Sequence, residues 1–326
     1  MMRIFRGMNA SRWALAAVLP LLWAAPLPAA ASAPCGQVWL LSTREAPLCG
    51  DLESGRAAIQ YWQLAPDASW QPADAGAFHR SDDAAVPTTI FIHGNRTDAQ
   101  TAVEHGWCIY QHMLQAAAGR PFRLVIWSWP SERMARHNRA DVQMKAEFSD
   151  AQSYYLARFL GDMRADVPVS LIGYSFGART ASGALELLAG GSIAGHCLPP
   201  AVVARRQQSR PRPYRVVLVA AASDADWLLP GHRDGEALSL VERMLVTRNE
   251  SDRVLKWYRR LYGPGGPEAL GYVGPLCTAQ PGSCERIDAI DVACSVGHKH
   301  DWYRYQAAPE LVERLGWYTF LTDAGR

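Results

Sequence analysis

Ser175 sits in the run Gly173-Tyr174-Ser175-Phe176-Gly177, and this is the setting in which the chain could do chemistry. A serine hydroxyl is a weak nucleophile until a base takes its proton and a carboxylate orients that base. Candidates for both roles follow later in the chain. Asp252 closes the run RNESD after the apolar stretch 244–247, and Asp224 and Asp226 compete with it after the earlier stretch 216–222. His298 and His300, both in GHKHDWY, compete for the role of base. The order serine, acid, histidine, each at the end of a strand, is one that acyl-transfer sites use. Such a site also needs two N–H groups for the oxyanion. Phe176, the residue after the serine, supplies one. Asn95, in the run His93-Gly94-Asn95, supplies the other, and Gly94 lets that backbone approach.

These residues need rigid elements to hold them. Residues 169–172 are an apolar run of strand composition, and Ala178, Thr180, Ala181, Ala184, Leu185 and Leu187 suit a helix. A strand, a G-x-S-x-G turn and a helix together make a nucleophile elbow. Its serine oxygen is exposed above the strand ends, and Gly173 and Gly177 leave room for the neighbouring backbone. The helix start favours developing negative charge.

Other elements follow the same logic. Residues 37–42 (QVWLLS) and 58–64 read as strands, with a Pro66-Asp67 turn before Trp70. Residues 88–93 (TTIFIH), 123–129 (RLVIWSW), 216–222 (VVLVAAA), 244–247 (MLVT) and 286–294 read as further strands. Helices are expected over 98–118, 141–163, 236–243 and 253–262, and from Pro309 through Leu321. Residues 190–215 read as a loop insertion, with Arg205, Arg206, Arg210 and Arg212 among prolines. It is a solvated surface or else a lid or partner contact. Uninterrupted apolar strands alternating with helices imply a mostly parallel sheet covered on both faces.

Four runs in order, IHGN at 92–95, SWPS at 128–131, GYSFG at 173–177 and Asp252-Arg253-Val254-Leu255, resemble a bacterial α/β-hydrolase family of largely uncharacterised serine hydrolases. That family pairs an IHG-x-N loop with a SWPS segment. The resemblance spans about residues 86–320. It implies the α/β-hydrolase fold, and Ser175, Asp252 and a C-terminal histidine as the catalytic triad. Related lipase-like proteins carry histidine, a polar residue and then aromatics, which His300-Asp301-Trp302-Tyr303 fits better than His298 does. The family commonly has His before the serine; this chain has Tyr174. That change leaves the chemistry intact and bears on the substrate.

The expected layout is then a signal peptide at 1–31, an N-terminal β extension at 32–85 and an α/β-hydrolase domain at 86–326. Arg3, Arg6 and Arg12 precede the apolar run 13–25, and small residues follow, as in a secretory signal. The run is too short and too interrupted by Pro20 to span a bilayer, which takes about 20 residues. The expected product is exported, periplasmic or secreted, without a stable membrane span after cleavage. Export makes disulfides possible among the seven cysteines, with Cys35–Cys49 and Cys277–Cys284 close enough in sequence to bridge. A net charge of +2 gives no sign of a nucleic-acid protein. No C-x-x-C pair favours zinc, and the H-x-H-D at 298–301 lacks the further ligands of a binuclear site. No cofactor or metal is expected. The expected activity is carboxylesterase or lipase-like hydrolysis of a small-molecule or lipid ester. The alternative is a catalytically silent hydrolase scaffold that binds.

Overall fold

The computed structural model describes residues 36–209, 212–263, 265–276 and 285–323. The proposed signal segment and Cys35, Cys277 and Cys284, hence both expected disulfides, lie outside these residues. Among the described residues Cys49, Cys108, Cys197 and Cys294 form no disulfide with one another.

Nine strands form one sheet: β1 (Gly36–Ser42), β2 (Gln60–Leu64), β3 (Trp70–Ala73), β4 (Thr88–Ile92), β5 (Phe122–Ser128), β6 (Val169–Tyr174), β7 (Tyr214–Val219), β8 (Val241–Arg248) and β9 (Ile287–Asp291). Their order is β3-β2-β1-β5-β4-β6-β7-β8-β9. From β1 to β9 every pairing is parallel, while β2 and β3 add an antiparallel hairpin at one edge. The expected N-terminal β extension is thus part of the main sheet: β1 pairs with β5 over its whole length.

Ten α-helices accompany the strands in the described residues. They are α1 (Ala75–Arg80), α2 (Ala99–Ala117), α3 (Asn138–Asp162), α4 (Phe176–Ala189), α5 (Pro200–Ser209), α6 (Arg253–Tyr258), α7 (Leu270–Val273), α8 (Ala293–Val296), α9 (Trp302–Tyr305) and α10 (Pro309–Tyr318). Two pairs, α3 with α4 and α2 with α10, pack beside the sheet. Every residue of β4, β5 and β6 is buried, as continuous apolar strands between helix layers must be. The exception in character is Arg123 in β5, only 1% exposed. Its guanidinium is held at the N-terminal end of the sheet by Asp82 at 2.5 Å, Thr88 Oγ1 at 2.9 Å and Ser81 Oγ at 2.8 Å. A buried cation needs such partners.

Three expectations change. Residues 200–209, read as loop, form α5. It follows α4 and precedes β7, so it lies at the sheet edge opposite the ends of the parallel strands. Arg205 pairs with Asp162 there and Arg206 lies over the Tyr214 ring, so neither can act as a lid over Ser175. The helix expected at 236–243 is a short 3-10 turn, Ala237–Leu240, and β8 starts at once after it. The last strand ends at Asp291, and residues 293–296 turn into α8.

Candidate active site

The C-terminal edge of the parallel strands carries every residue singled out by chemistry. β6 ends at Tyr174, and Ser175 has φ 55° and ψ −115°, a conformation L-residues rarely adopt. Neighbours hold it there. The Ser175 N–H donates to Val219 O at 2.9 Å, and its carbonyl accepts from Ala178 N at 3.1 Å and Ala222 N at 3.3 Å. The turn closes only because Gly177 has no side chain: a Cβ there would lie 2.1 Å from Ile92 O.

Ser175 Oγ lies 2.9 Å from His300 Nε2, and His300 Nδ1 lies 2.8 Å from Asp252 Oδ2. A carboxylate only accepts, so Nδ1 carries the hydrogen and Nε2 is free to accept the serine hydroxyl. Asp252 is fully buried and caps α6 through Oδ1, which accepts from Val254 N at 2.8 Å and Leu255 N at 3.1 Å. Its Oδ2 also accepts from Tyr305 Oη at 2.7 Å. Burial pushes the Asp252 carboxyl up, but hydrogen bonds from His300, Tyr305 and the Leu255 amide outweigh it and hold the group below the usual carboxylate value.

The rival residues are elsewhere. His298 is exposed, and its carbonyl accepts from Arg253 N at 3.2 Å. Asp224 accepts from Tyr258 Oη at 2.6 Å, and Asp226 lies 3.2 Å from His232 Nδ1. Among the described residues no group of three His, Cys, Asp or Glu side chains is placed to hold a metal.

Phe176 is the first residue of α4, where no upstream carbonyl exists to take its N–H. Gly94 brings the other loop in: a Cβ there would sit 3.0 Å from Ser175 Cβ. Asn95 follows it, with Oδ1 accepting from Arg96 N at 2.9 Å and no internal acceptor for its own N–H among the described residues.

Several positioning residues escape sequence reasoning. His93 is buried and sits between the two motif loops. Its Nδ1 meets Gly94 O at 2.9 Å, Nε2 accepts from Trp129 N at 3.1 Å, and Trp129 Nε1 donates to His93 O at 2.9 Å. Burial pushes its imidazole well below the usual value, so it stays neutral and the Nδ1–H donates to Gly94. Ser131 Oγ donates toward Gly94 O and Thr97 O, each at 3.0 Å, and accepts from Thr97 N at 3.1 Å. The SWPS run is therefore a clamp on the HGN loop, which accounts physically for the two motifs appearing together. On the other side, Tyr174 stacks on His300 at 5.3 Å, and Trp302 packs against Tyr174 at 5.1 Å. Asn249 Nδ2 donates to Tyr305 Oη at 3.1 Å and to Gly297 O at 2.9 Å, joining the acid's loop to the histidine's. The only hint of Tyr305 in sequence is its helical spacing from Trp302.

A mostly parallel sheet with a strained serine turn at the end of an interior strand is the α/β-hydrolase fold. No family model matches this chain, and no curated protein matches it. Among solved structures it is similar to the catalytic core domain of acetyl xylan esterase from Trichoderma reesei, at 12% identity and TM-score 0.37, over 72% of this chain and 98% of that one. It is also similar to TT1662 from Thermus thermophilus, at 13% identity and TM-score 0.37, over 82% of this chain and 94% of that one. At this distance neither neighbour says anything of substrate. No helix among the described residues is long and apolar enough to cross a membrane.

Proposed function

We propose that this chain is an exported serine hydrolase that cleaves a carboxylic ester. The observation that carries the reading is the continuous hydrogen-bonded line from Asp252 through His300 to Ser175 on a strained elbow. In this reading Ser175 Oγ attacks the ester carbonyl while its proton passes to His300 Nε2. Asp252, kept ionised by its donors, holds the imidazole and stabilises its cationic form. The N–H groups of Phe176 and Asn95 receive the oxyanion, each worth about 3–4 kcal/mol where one such donor has been removed. The imidazolium returns its proton to the leaving alcohol oxygen, and an acyl-enzyme remains. Water, deprotonated by the same imidazole, then releases the acid. Export rests on the composition of residues 1–31 alone.

The test is labelling with a fluorophosphonate probe and mapping of the modified peptide. The adduct is expected on Ser175, with no labelling of Ser175→Ala. An intact wild type that neither labels at Ser175 nor hydrolyses any short 4-nitrophenyl ester would end the reading.

A further inference from the structure

A second feature shares the C-terminal edge of the sheet with the site. The crossover after β5 leads into α3, and the crossover after β8 leads through α6 into a 3-10 turn, Arg259–Leu261. The two crossovers are stapled together: Arg139 Nη2 and Gln143 Nε2 donate to Leu261 O at 3.0 and 3.1 Å. In the sheet, β4, β6 and β7 lie between β5 and β8, and β6 is the strand that ends at Ser175. The staple thus spans the width of the elbow.

A groove of ≈ 590 Å³ opens along this junction, lined by Arg139, Lys256, Trp257, Arg259, Arg260 and Glu268 among others. The chain as a whole carries a net charge of only +2, so four cations facing one carboxylate here are a local concentration. The carboxylate is already taken, since Glu268 pairs with Arg259 at 2.8 Å. Among the described residues Lys256 has no carboxylate within ion-pair distance, and the Arg260 guanidinium lies over the Trp257 ring at 4.2 Å without an acid partner. Trp257 is 60% exposed, an unusual position for a residue whose burial is so favourable. A cation held against an exposed indole offers an anion a charge and offers the chain leading to that anion an apolar wall. The groove is also joined mechanically to the acid of the site. Asp252 caps α6, so Lys256 follows the carboxylate by about 6 Å along the helix direction, and Arg260 lies past the helix end in the 3-10 turn Arg259–Leu261.

We propose that this groove recognises a carboxylate carried by the substrate ester, with Lys256, Arg260 and Arg139 taking the charge and Trp257 flanking the spacer. Glu268 on Arg259 shows how a planar carboxylate seats here, and a guanidinium fork suits that shape. The inference rests on the hydrolase reading for its ester, and on the groove alone for its carboxylate.

The experiment has two matched ester pairs and one binding arm. On the acyl side, mono-(4-nitrophenyl) adipate is compared with 4-nitrophenyl hexanoate. On the alcohol side, 5-acetoxypentanoate is compared with pentyl acetate. In one of the pairs kcat/KM should favour the anionic ester about tenfold. Lys256→Ala and Arg260→Ala should each cut that preference by about three- to fivefold, the scale of an exposed ion pair. Half-molar salt should shrink it as well. In the binding arm, hexanedioate is titrated into Ser175→Ala by calorimetry, and affinity should fall in the double variant that adds Arg260→Ala. Equal rates within both pairs, or a preference that survives both substitutions, overturns the proposal. If no ester is turned over at all, the hydrolase reading fails. The titration then decides the groove by itself, and absence of hexanedioate binding overturns it.

Discussion

Asp252 and Asp234 are equally hidden from solvent, at 0% and 1% exposure, yet the protein treats them in opposite ways. Four donors converge on Asp252: the His300 ring, the Tyr305 hydroxyl and the amides of Val254 and Leu255. Asp234 receives only the Ser182 hydroxyl, on Oδ2 at 2.5 Å, while Oδ1 has no hydrogen-bond partner among the described residues. Arg233 Nε stands off at 3.9 Å. Burial pushes the Asp234 carboxyl up to about 7; the Ser182 hydrogen bond and the charges of Arg233 and Arg179 oppose this only in part, and Glu186 adds to it. At Asp252 the same burial is outweighed. The number of donors, not the depth, decides whether a buried carboxyl keeps its charge. In the mechanism proposed above the Asp252 charge stabilises an imidazolium, and that role needs the first environment. The second serves a carboxyl that only bridges α4 to the loop after β7.

The comparison can be broken at both ends. Asp252→Asn is expected to lower kcat on a 4-nitrophenyl ester by about 10⁴, because an amide at this position favours the wrong tautomer of His300. Asp234→Asn should leave kcat within about twofold. Similar losses in the two variants would show that burial and not hydrogen bonding sets their roles. A finer cut is Tyr305→Phe, which takes one donor from Asp252 and leaves the other three. It should cost about 1 kcal/mol of stability, read from a urea midpoint, and about five- to tenfold in kcat. An unchanged kcat would remove Tyr305 from the acid's support.

The smallest effect concerns Asp234 and pH. Its folded pKa lies above its unfolded value, so the folded state binds the extra proton. Its contribution to stability is complete below about pH 4 and is lost as pH rises toward 7. Asparagine cannot titrate. Between pH 4 and pH 8 the stability difference should therefore move in favour of Asp234→Asn by about 4 kcal/mol. Denaturant midpoints at the two pH values measure it, and a difference that does not vary with pH would mean that Asp234 is ionised throughout.

Much of the fold is legible because its signals are local. The apolar runs of β4, β5, β6 and β7 announce buried strands, and G-x-S-x-G between a strand and a helix announces the elbow. The sequence also brings out Ser175, Asp252 and His300, which do lie in one line; their roles remain the proposal above. The failures are as instructive. In α5 a core-facing position is occupied by Arg206, whose stem is buried and whose guanidinium lies over Tyr214. A charged letter at a buried site erases the apolar period that betrays a helix. Early β8 carries Glu242 and Arg243, which hide its strand pattern in the same way. The contributions of His93 and Tyr305 are illegible for another reason. Their partners Trp129 and Asp252 are 36 and 53 residues away, and no window along the chain holds both.

The backbone of Ser175 has an evolutionary corollary. A non-glycine residue at φ 55° and ψ −115° carries of the order of 1–3 kcal/mol of conformational strain. Glycine would relax that strain, so the most stabilising replacement at this position is also one that deletes the hydroxyl. Selection for thermal robustness alone would drift the turn toward glycine. Serine here therefore marks a standing conflict, in which the fold holds less stability than its own topology permits.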